Sequence, residues 1–205
     1  MASQETAARP APIALLSGAA LAANRAMISE RDTPVRVDLS ADAWGHGAAF
    51  LSEALGADLV AVQDHSDNPR LLGLEPGFRP VMTLRSEVLS TKPLRAGEGV
   101  SYGYTHRAPQ DTVLALVAGG YATGVPRALG NRASVIIAGL RHPIVGRVAM
   151  DVCMVDIGEA EVGSGETVEF FGEELSVAHW AAATGLTAAE LVTAVGLRVH
   201  RRVDA

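Results

Sequence analysis

The sequence predicts an α+β protein in which a short α/β segment precedes a longer, strand-rich segment. Up to about residue 62, short apolar runs alternate with helical stretches. Proline and glycine then cluster between residues 64 and 80, which is typical of a linker or a domain boundary. Beyond that cluster, β-branched and aliphatic runs are separated by glycine, proline or asparagine, as expected of an antiparallel sheet or a small barrel.

The elements of the first segment follow a βαβαβ order, which favours α/β architecture. Residues 1–12 are rich in Ala and Pro without apolar periodicity and predict a flexible tail. Ser17 is a suitable N-cap for the first helix because its hydroxyl can accept from free backbone N–H groups. The predicted elements are strands over 13–16, 35–39 and 59–62 and helices over 18–28 and 48–55.

The second segment is dominated by strands and closes with two helices. Ser176 begins the first helix, and Thr187 with Glu190 forms a T-x-x-E capping box at the start of the second. A last strand is expected within 198–203. The predicted strands before the helices cover 81–91, 112–118, 134–138, 144–157 and 166–171.

Composition narrows the classes of partner and compartment. The chain has 205 residues with a net charge of −6, which argues against nucleic acid or an anionic membrane as a partner. No window approaches the ~20 apolar residues of a membrane span, and the first residues lack a signal-peptide pattern, so a cytoplasmic protein is expected. The single cysteine, Cys153, excludes an internal disulfide and is expected to be a buried small hydrophobe. The six histidines show no metal-ligand spacing, so no metal is expected.

Three motifs in the strand-rich segment carry a family resemblance. They are a GYGxT-like Gly103-Tyr104-Thr105, a GYADGxPR-like run over 120–127 and a GRVxMD-like run over 146–151. In this order and spacing, the text from Arg79 to Gly158 resembles the C-terminal domain of alanine racemases. The resemblance implies a β domain over 79–205.

The α/β segment resembles the same family over a shorter stretch. Residues 37–47, V-D-L-S-A-D-A-W-G-H-G, are similar to the family's V-K-A-D/N-A-Y-G-H-G, in which the lysine forms a Schiff base with pyridoxal phosphate. Here Ser40 stands in the place of that lysine. Trp44 and Leu197 stand where the family has tyrosines that contact the cofactor phosphate. The resemblance therefore implies a lost pyridoxal phosphate site, and no cofactor is expected.

The only lysine in the chain, Lys92, precedes Pro93 in what is predicted to be a surface turn. Schiff-base lysines are normally desolvated in a pocket, so Lys92 is expected to be a solvated structural residue. The family carries its cofactor in a (β/α)₈ barrel of about 250 residues. Residues 13–78 have room for two or three βα units and are interpreted as a truncated remnant of such a TIM-type barrel. The expected fold is this remnant followed by an antiparallel β-barrel-like domain.

Two residues are candidates for the site by resemblance. Tyr121 matches a family tyrosine that acts as the second acid/base in the other subunit's active site, although the family's aspartate is Thr123 here. Alternatively, Tyr121 packs in the sheet or in a dimer interface. Met150 and Asp151 match a pair whose backbone helps hold the substrate carboxylate. Alternatively, they are a strand residue and a turn-stabilising carboxylate.

These observations predict a degenerate relative of alanine racemase that does not racemise on its own and acts in binding or protein interaction. The expected partners are a second copy of the chain, a full-length racemase-like chain or a small amino-acid ligand. The alternative is an isomerase of L- and D-alanine that is active in an oligomer or with a partner chain. That activity would require Tyr121 as a base and a cofactor held by the partner.

Overall fold

A computed structural model describes residues 10–28 and 34–204, so most of the predicted tail over 1–12 lies outside the described residues. The α/β segment comprises three strands and four short helical elements. The strands and two of the helices lie close to the predicted positions, whereas the helical elements over 40–44 and 68–71 were not predicted. One further 3₁₀ turn covers Gly56–Asp58. The elements are β1 (Ile13–Ser17), α1 (Gly18–Ile28), β2 (Val35–Val37), α2 (Ser40–Trp44), α3 (Ala48–Leu55), β3 (Leu59–Ala61) and α4 (Asn68–Leu71).

The strand-rich segment closes into a six-stranded antiparallel barrel, as the sequence predicted. Its strands are β4 (Met82–Leu94), β7 (Thr112–Ala118), β8 (Ser134–Ile137), β9 (Leu140–Val145), β10 (Val152–Asp156) and β11 (Thr167–Phe171), with a small hairpin of β5 (Gly99–Val100) and β6 (His106–Arg107). The order around the barrel is β4-β7-β10-β9-β8-β11, and β11 pairs with β4 again. Two helices, α5 (Ala178–Thr184) and α6 (Ala188–Gly196), and a last strand, β12 (His200–Asp204), follow.

The first strand joins the barrel instead of the α/β segment. β1 pairs antiparallel with β4, placing Ile13 opposite Arg85, and parallel with β12. Its alternate residues Ala14 and Leu16 are buried in the same core as Leu84. The parallel pair β2–β3 therefore stands apart from β1, although the βαβαβ order favoured a single α/β unit. The apolar face of β1 decides this pairing, because it completes the barrel core.

The segment over 64–80, predicted as a linker, is packed against the α/β segment. Asn68 is buried and holds the end of β2, since its side chain accepts from the N–H of Asp38 at 3.1 Å and donates to the Asp38 carbonyl at 2.8 Å. Asn24 in α1 is also buried and donates to the carbonyl oxygens of Leu71 and Arg79. Buried polar side chains with satisfied hydrogen bonds fix this segment in place. The α/β segment has a hydrophobic core of its own, beside the barrel core. It consists of residues 20, 21, 35, 37, 43, 51, 55, 71, 72 and 81.

The predicted strand over 144–157 is two strands joined by a turn. β9 ends at Val145 and β10 begins at Val152. Gly146 has a φ of +72°, a left-handed conformation that favours glycine, and this breaks the strand. The turn matters for the site because it contains the GRVxMD-like motif.

The closing helices cover one end of the barrel. Trp180 of α5 packs edge-on against Phe170 and Phe171, with ring centroids 6.1 and 5.0 Å away. The predicted capping box of α6 is confirmed, since Thr187 Oγ1 accepts from the Glu190 N–H at 3.2 Å and Glu190 accepts from the Thr187 N–H at 2.8 Å. In the part of the chain that the structure describes, no helix is long and apolar enough to cross a bilayer.

Candidate functional site

Ser40 lies just after β2, at the position where the resemblance places a lysine. Its side chain is exposed, and its backbone N–H donates to Asp38 Oδ1 at 2.8 Å. The Trp44 indole N–H donates to the other oxygen of Asp38 at 2.9 Å. Burial raises the pKa of Asp38, but these hydrogen bonds outweigh it and lower the pKa overall. Asp38 is therefore an ionised acceptor that holds both ends of the turn after β2.

The turn after Ser40 is left-handed over four successive residues. Ala41, Asp42, Ala43 and Trp44 have φ values of +48°, +57°, +52° and +53°. Each such residue costs roughly 1–2 kcal/mol when it is not glycine, so the surroundings must hold the turn. Asp42 contributes by accepting from the Ala48 N–H at 2.7 Å and by an ion pair with Arg201 at 2.6 Å.

Helix α6 supports the same turn through a close approach of two glycines. A Cβ atom on Gly196 would lie 2.0 Å from the Gly45 carbonyl oxygen, so only glycine fits there. His46 follows, fully buried, with Nδ1 3.1 Å from the Trp44 carbonyl oxygen. Burial lowers the pKa of His46 to about 4, so the ring is neutral near pH 7. His46 is thus a buried, neutral side chain of this turn, and its Nε2 has no hydrogen-bond partner among the described residues.

The groups around Ser40 do not fit a Schiff-base-anchored pyridoxal phosphate. A serine hydroxyl cannot form an imine, and the Ser40 N–H, the Trp44 indole and Arg201 are already engaged within the protein. The Ser40 N–H and the Trp44 indole bind Asp38, while Arg201 binds Asp42 and donates to the Gly45 carbonyl at 3.0 Å. Leu197 at the end of α6 is 54% exposed and has no polar side-chain atom to offer a phosphate.

Lys92 lies in strand β4, opposite Leu114, and not in the predicted turn. The pairing of β4 with β7 continues past Pro93 to Leu94, so this stretch stays in the sheet and does not turn. Its side chain is exposed, as expected of a solvated lysine.

The three family motifs converge on one surface, here called the motif face and formed by residues 101–105, 119–124 and 146–151. Asn131 links two of them, since its amide donates to Thr105 Oγ1 at 3.2 Å and accepts from the Gly146 N–H at 2.7 Å. Ser101 Oγ donates to the Arg147 carbonyl at 2.8 Å. The motifs are thus joined by hydrogen bonds although they are far apart in the sequence.

Tyr121 and Met150 are neighbours on the motif face. The Tyr121 N–H donates to the Ala149 carbonyl at 3.0 Å, and the Ala122 N–H donates to the Met150 carbonyl at 3.0 Å. The side chains of Tyr121 and Met150 are 42% and 54% exposed. Among the residues with described placement, none bonds to the Tyr121 hydroxyl.

Thr123, which stands at the position of the family's aspartate, closes this turn. Its hydroxyl donates to the Gly120 carbonyl at 2.9 Å and accepts from the Gly120 N–H at 3.2 Å. A Cβ atom on Gly120 would lie 2.2 Å from the Met150 carbonyl oxygen, so glycine is required where the two loops meet. The altered motif therefore still positions Tyr121.

A further tyrosine of the motif face was missed by the sequence analysis. Tyr102 is 83% exposed, more than Tyr121, and its neighbour Gly103 lies close to the guanidinium of Arg147. An aromatic residue directly before the glycine of a family-like motif is the sequence signal that could have identified it. Tyr102, Tyr104 and Tyr121, with 83%, 65% and 42% of their surfaces exposed, are the three phenols that this surface offers to a partner.

Helix α6 lies between the motif face and Ser40. A Cβ atom on Gly124 would lie 2.8 Å from the Ala194 carbonyl oxygen, while the other side of the helix meets Gly45. No hydrogen bond joins Ser40 to Tyr121 within residues 34–204. The candidate residues thus form two separate groups, and Tyr121 and Met150 are the ones that the fold brings together.

Fold and motif face together define a racemase-type β-barrel domain carrying an α/β unit. A family model described as alanine racemase, C-terminal domain, matches residues 81–203. The chain belongs to the alanine racemase family through this domain.

Individual alanine racemases also match the chain. An alanine racemase of Thermobifida fusca is 45% identical over 130 residues, covering 62% of this chain and 35% of that protein. One of Frankia casuarinae is 36% identical over 184 residues, covering 81% of this chain and 48% of that protein. The chain thus spans between about a third and a half of the length of these curated relatives.

Solved structures agree with the fold. Alanine racemase from a D-cycloserine-producing Streptomyces lavendulae matches with a TM-score of 0.65 and 31% identity, over 80% of this chain and 50% of that one. A biosynthetic alanine racemase from Pseudomonas aeruginosa matches with a TM-score of 0.82 over 97% of this chain and all of that one. At 19% identity, the second match concerns the fold alone.

Proposed function

We propose that this chain does not carry out pyridoxal-phosphate-dependent racemisation on its own and acts as a binding or interaction module. The observation that carries the proposal is Ser40 at the family's lysine position, with the surrounding donors engaged by Asp38 and Asp42. Pyridoxal phosphate supplies an electron sink for removing the α-proton, and it needs a lysine to anchor it. Lys92 in β4 lines an open surface cavity of about 490 Å³ and is exposed, so this cavity leaves the ammonium group solvated.

The motif face supports an interaction role. It presents Tyr102, Tyr121 and Met150 with 83%, 42% and 54% of their surfaces exposed. Tyrosine and methionine are enriched in protein interfaces, where they combine large contact area with a polar or adaptable end. The partner is a second copy of the chain or a full-length racemase-like chain.

Substitution on the motif face tests this role. We expect Met150→Asp to weaken self-association, or association with a full-length alanine racemase, measured by size-exclusion chromatography with light scattering. Met27→Asp is the matched control, because Met27 in α1 is 60% exposed and lies outside the motif face. Equal effects of the two substitutions would argue against an interface at the motif face.

The second candidate function is that of an isomerase active with a partner chain. It is favoured by the position of Tyr121 beside Met150, on a turn that Thr123 closes by hydrogen bonds to Gly120. In such an assembly the partner would hold the cofactor, and this chain would supply a phenol to deliver or remove a proton at the α-carbon.

Mixing the chain with a full-length alanine racemase distinguishes the two functions. An interaction module leaves the racemisation rate of the mixture unchanged by Tyr121→Phe or Tyr102→Phe, because each substitution removes only a hydroxyl. A fall in that rate by at least about tenfold with either variant would favour the isomerase, since acid–base groups contribute about 10²–10⁴-fold.

A further inference from the structure

A small polar cavity lies on the outer face of the barrel and shares no residue with the motif face or the surroundings of Ser40. Its volume is about 250 Å³. Strands β1, β4 and β11 form its floor with Leu15, Thr83, Arg85 and Glu169, and Asp204 of β12 closes one side. Strand alternation points Thr83 and Arg85 away from the core, because Leu84 between them is buried.

Glu169 faces outward on β11, opposite Arg85, and yet it is only 7% exposed. The turn that follows the strand folds back over it, aided by a bulge between Glu169 and Phe171. Gly172 permits this, since a Cβ atom there would lie 2.7 Å from both Glu169 Oε1 and Thr83 Oγ1. The fold therefore buries a carboxylate at the wall of a cavity.

This carboxylate is short of hydrogen-bond donors. A carboxylate can accept about four hydrogen bonds, but Glu169 receives one from the residues that the structure describes, from the Glu174 N–H to Oε1 at 3.3 Å. Its other oxygen is 3.6 Å from Arg85 Nη2, which is longer than a hydrogen bond. Burial raises the pKa of Glu169 because these contacts do not compensate for lost hydration. A buried acceptor in this condition points to a donor that arrives with a ligand.

The other charges of the cavity indicate what that ligand carries. Arg79 is paired with Glu173 at 2.8 Å, so it is satisfied. Arg85 is 47% exposed, and its one ion pair among the described residues is the long contact with Glu169. The Glu174 and Asp204 carboxylates also line the cavity, but they are exposed to water. The cavity thus offers a buried, under-satisfied carboxylate beside a guanidinium with free donors. A molecule with an ammonium group next to a carboxylate complements both.

We propose that this cavity binds a small zwitterionic α-amino acid, with its ammonium group on Glu169 and its carboxylate on Arg85. The cavity is smaller than the roughly 300–1,000 Å³ of drug-sized pockets, which limits the ligand to a few heavy atoms. Leu15 and Pro80 are its only apolar lining residues, so a short side chain, as in glycine or alanine, is accommodated best. This inference does not depend on the proposed function.

Titration of the ¹⁵N-labelled chain with glycine, L-alanine or D-alanine, followed by NMR, tests the proposal. We expect saturable shifts of the Gly172 and Glu174 amide signals. Glu169→Gln and Arg85→Gln should each weaken binding by about tenfold or more, since each removes one charge-assisted contact. Glu166→Gln is the matched control, because Glu166 is exposed just before β11 and outside the cavity, and it should leave binding unchanged.

Two results would overturn the proposal. One is the absence of saturable shifts with all three amino acids. The other is equal binding of methylammonium alone, which would show that the acidic groups attract any cation without recognising a carboxylate. If Glu169→Gln does not fold, Arg85→Gln decides, because that side chain is half exposed and its loss does not disturb the core. Neither result bears on racemisation, so the two proposals fail independently.

Discussion

Asp38 and Asp42 hold the backbone around Ser40 in a conformation that alanine and tryptophan side chains disfavour. Asp38 binds the Ser40 N–H and the Trp44 indole, and Asp42 binds Ala48 and Arg201. Both carboxylates act as acceptors inside the turn. Arg201, a cation that could bind a phosphate near Ser40, is already paired with Asp42. At this scale, the stretch that resembles the family's lysine motif is a turn held by its own hydrogen bonds.

Replacing Asp42 tests this account of the turn. Asp42→Ala should lower the free energy of unfolding by about 1 kcal/mol near pH 7, as expected for loss of a helix-start acceptor. The hydrogen bond from the Ala48 N–H, opposed by burial and aided by Arg201, lowers the pKa of Asp42 below its usual 3.8. The ionised form therefore stabilises the folded state above that value, and the stabilisation is lost as the pH falls through the lowered pKa.

Urea unfolding at several pH values measures this effect. The difference between the native chain and Asp42→Ala should shrink below about pH 4. Asp64→Ala is the control, because the exposed Asp64 carboxylate makes no hydrogen bond or ion pair within the described part of the chain. A constant difference across the pH range would contradict an ionised, stabilising Asp42.

Cys153 provides a second test at the residue scale. It is 1% exposed, and burial raises its pKa to about 12, so a reactive thiolate is absent at neutral pH. Labelling by a disulfide reagent should be at least about a thousandfold slower in the native chain than in urea, because it requires global opening of the barrel. Rapid labelling of the folded chain would show that β10 is not held as described.

At the scale of elements, α6 connects the two groups of candidate residues. One side meets the left-handed turn at Gly45, and the other meets the loop of Tyr121 at Gly124. The capping box of this helix was predictable because it depends on residues three apart in the sequence. The close approach to Gly45 was not predictable, since the two glycines are separated by most of the chain.

Gly196→Ala tests that contact. The added Cβ would lie 2.0 Å from the Gly45 carbonyl oxygen, so the helix and the turn must separate. We expect a loss of about 2 kcal/mol or more in the free energy of unfolding, as for an overpacked site. Gly163→Ala is the control, because nothing lies within 4 Å of its Cβ position. Equal stabilities of the two variants would contradict the packing of α6 on the turn.

At the scale of the molecule, local sequence patterns predicted most of the elements and the barrel. Which element each one packs against depended on residues far away in the sequence. The alternation in β1 indicates that Ala14 and Leu16 are buried, but it does not say in which core. The left-handed turn over 41–44 has no local signal, because glycine is absent from those four positions. Glu169 looks like an outward strand residue, and only the turn at Gly172 shows that it is buried.

The convergence of the motif face could be expected from the family resemblance, since the three motifs matched in order and spacing. The exposure of the motif face could not be expected, because the sequence does not show which residues cover Tyr102 and Met150. The functional conclusion thus rests on the sequence and the fold together. The sequence shows a serine in the place of a lysine, and the fold pairs the Ser40 N–H and the Trp44 indole with Asp38 and pairs Arg201 with Asp42.

The most direct test of the central claim is to add pyridoxal phosphate to the purified chain, record the visible spectrum, reduce with borohydride and map modified peptides by mass, with alanine racemisation measured in parallel. The account predicts no racemisation by the chain alone, and no adduct linked to turnover. An adduct at Lys92, together with racemisation that Lys92→Ala abolishes, would contradict the account and establish a rewired isomerase.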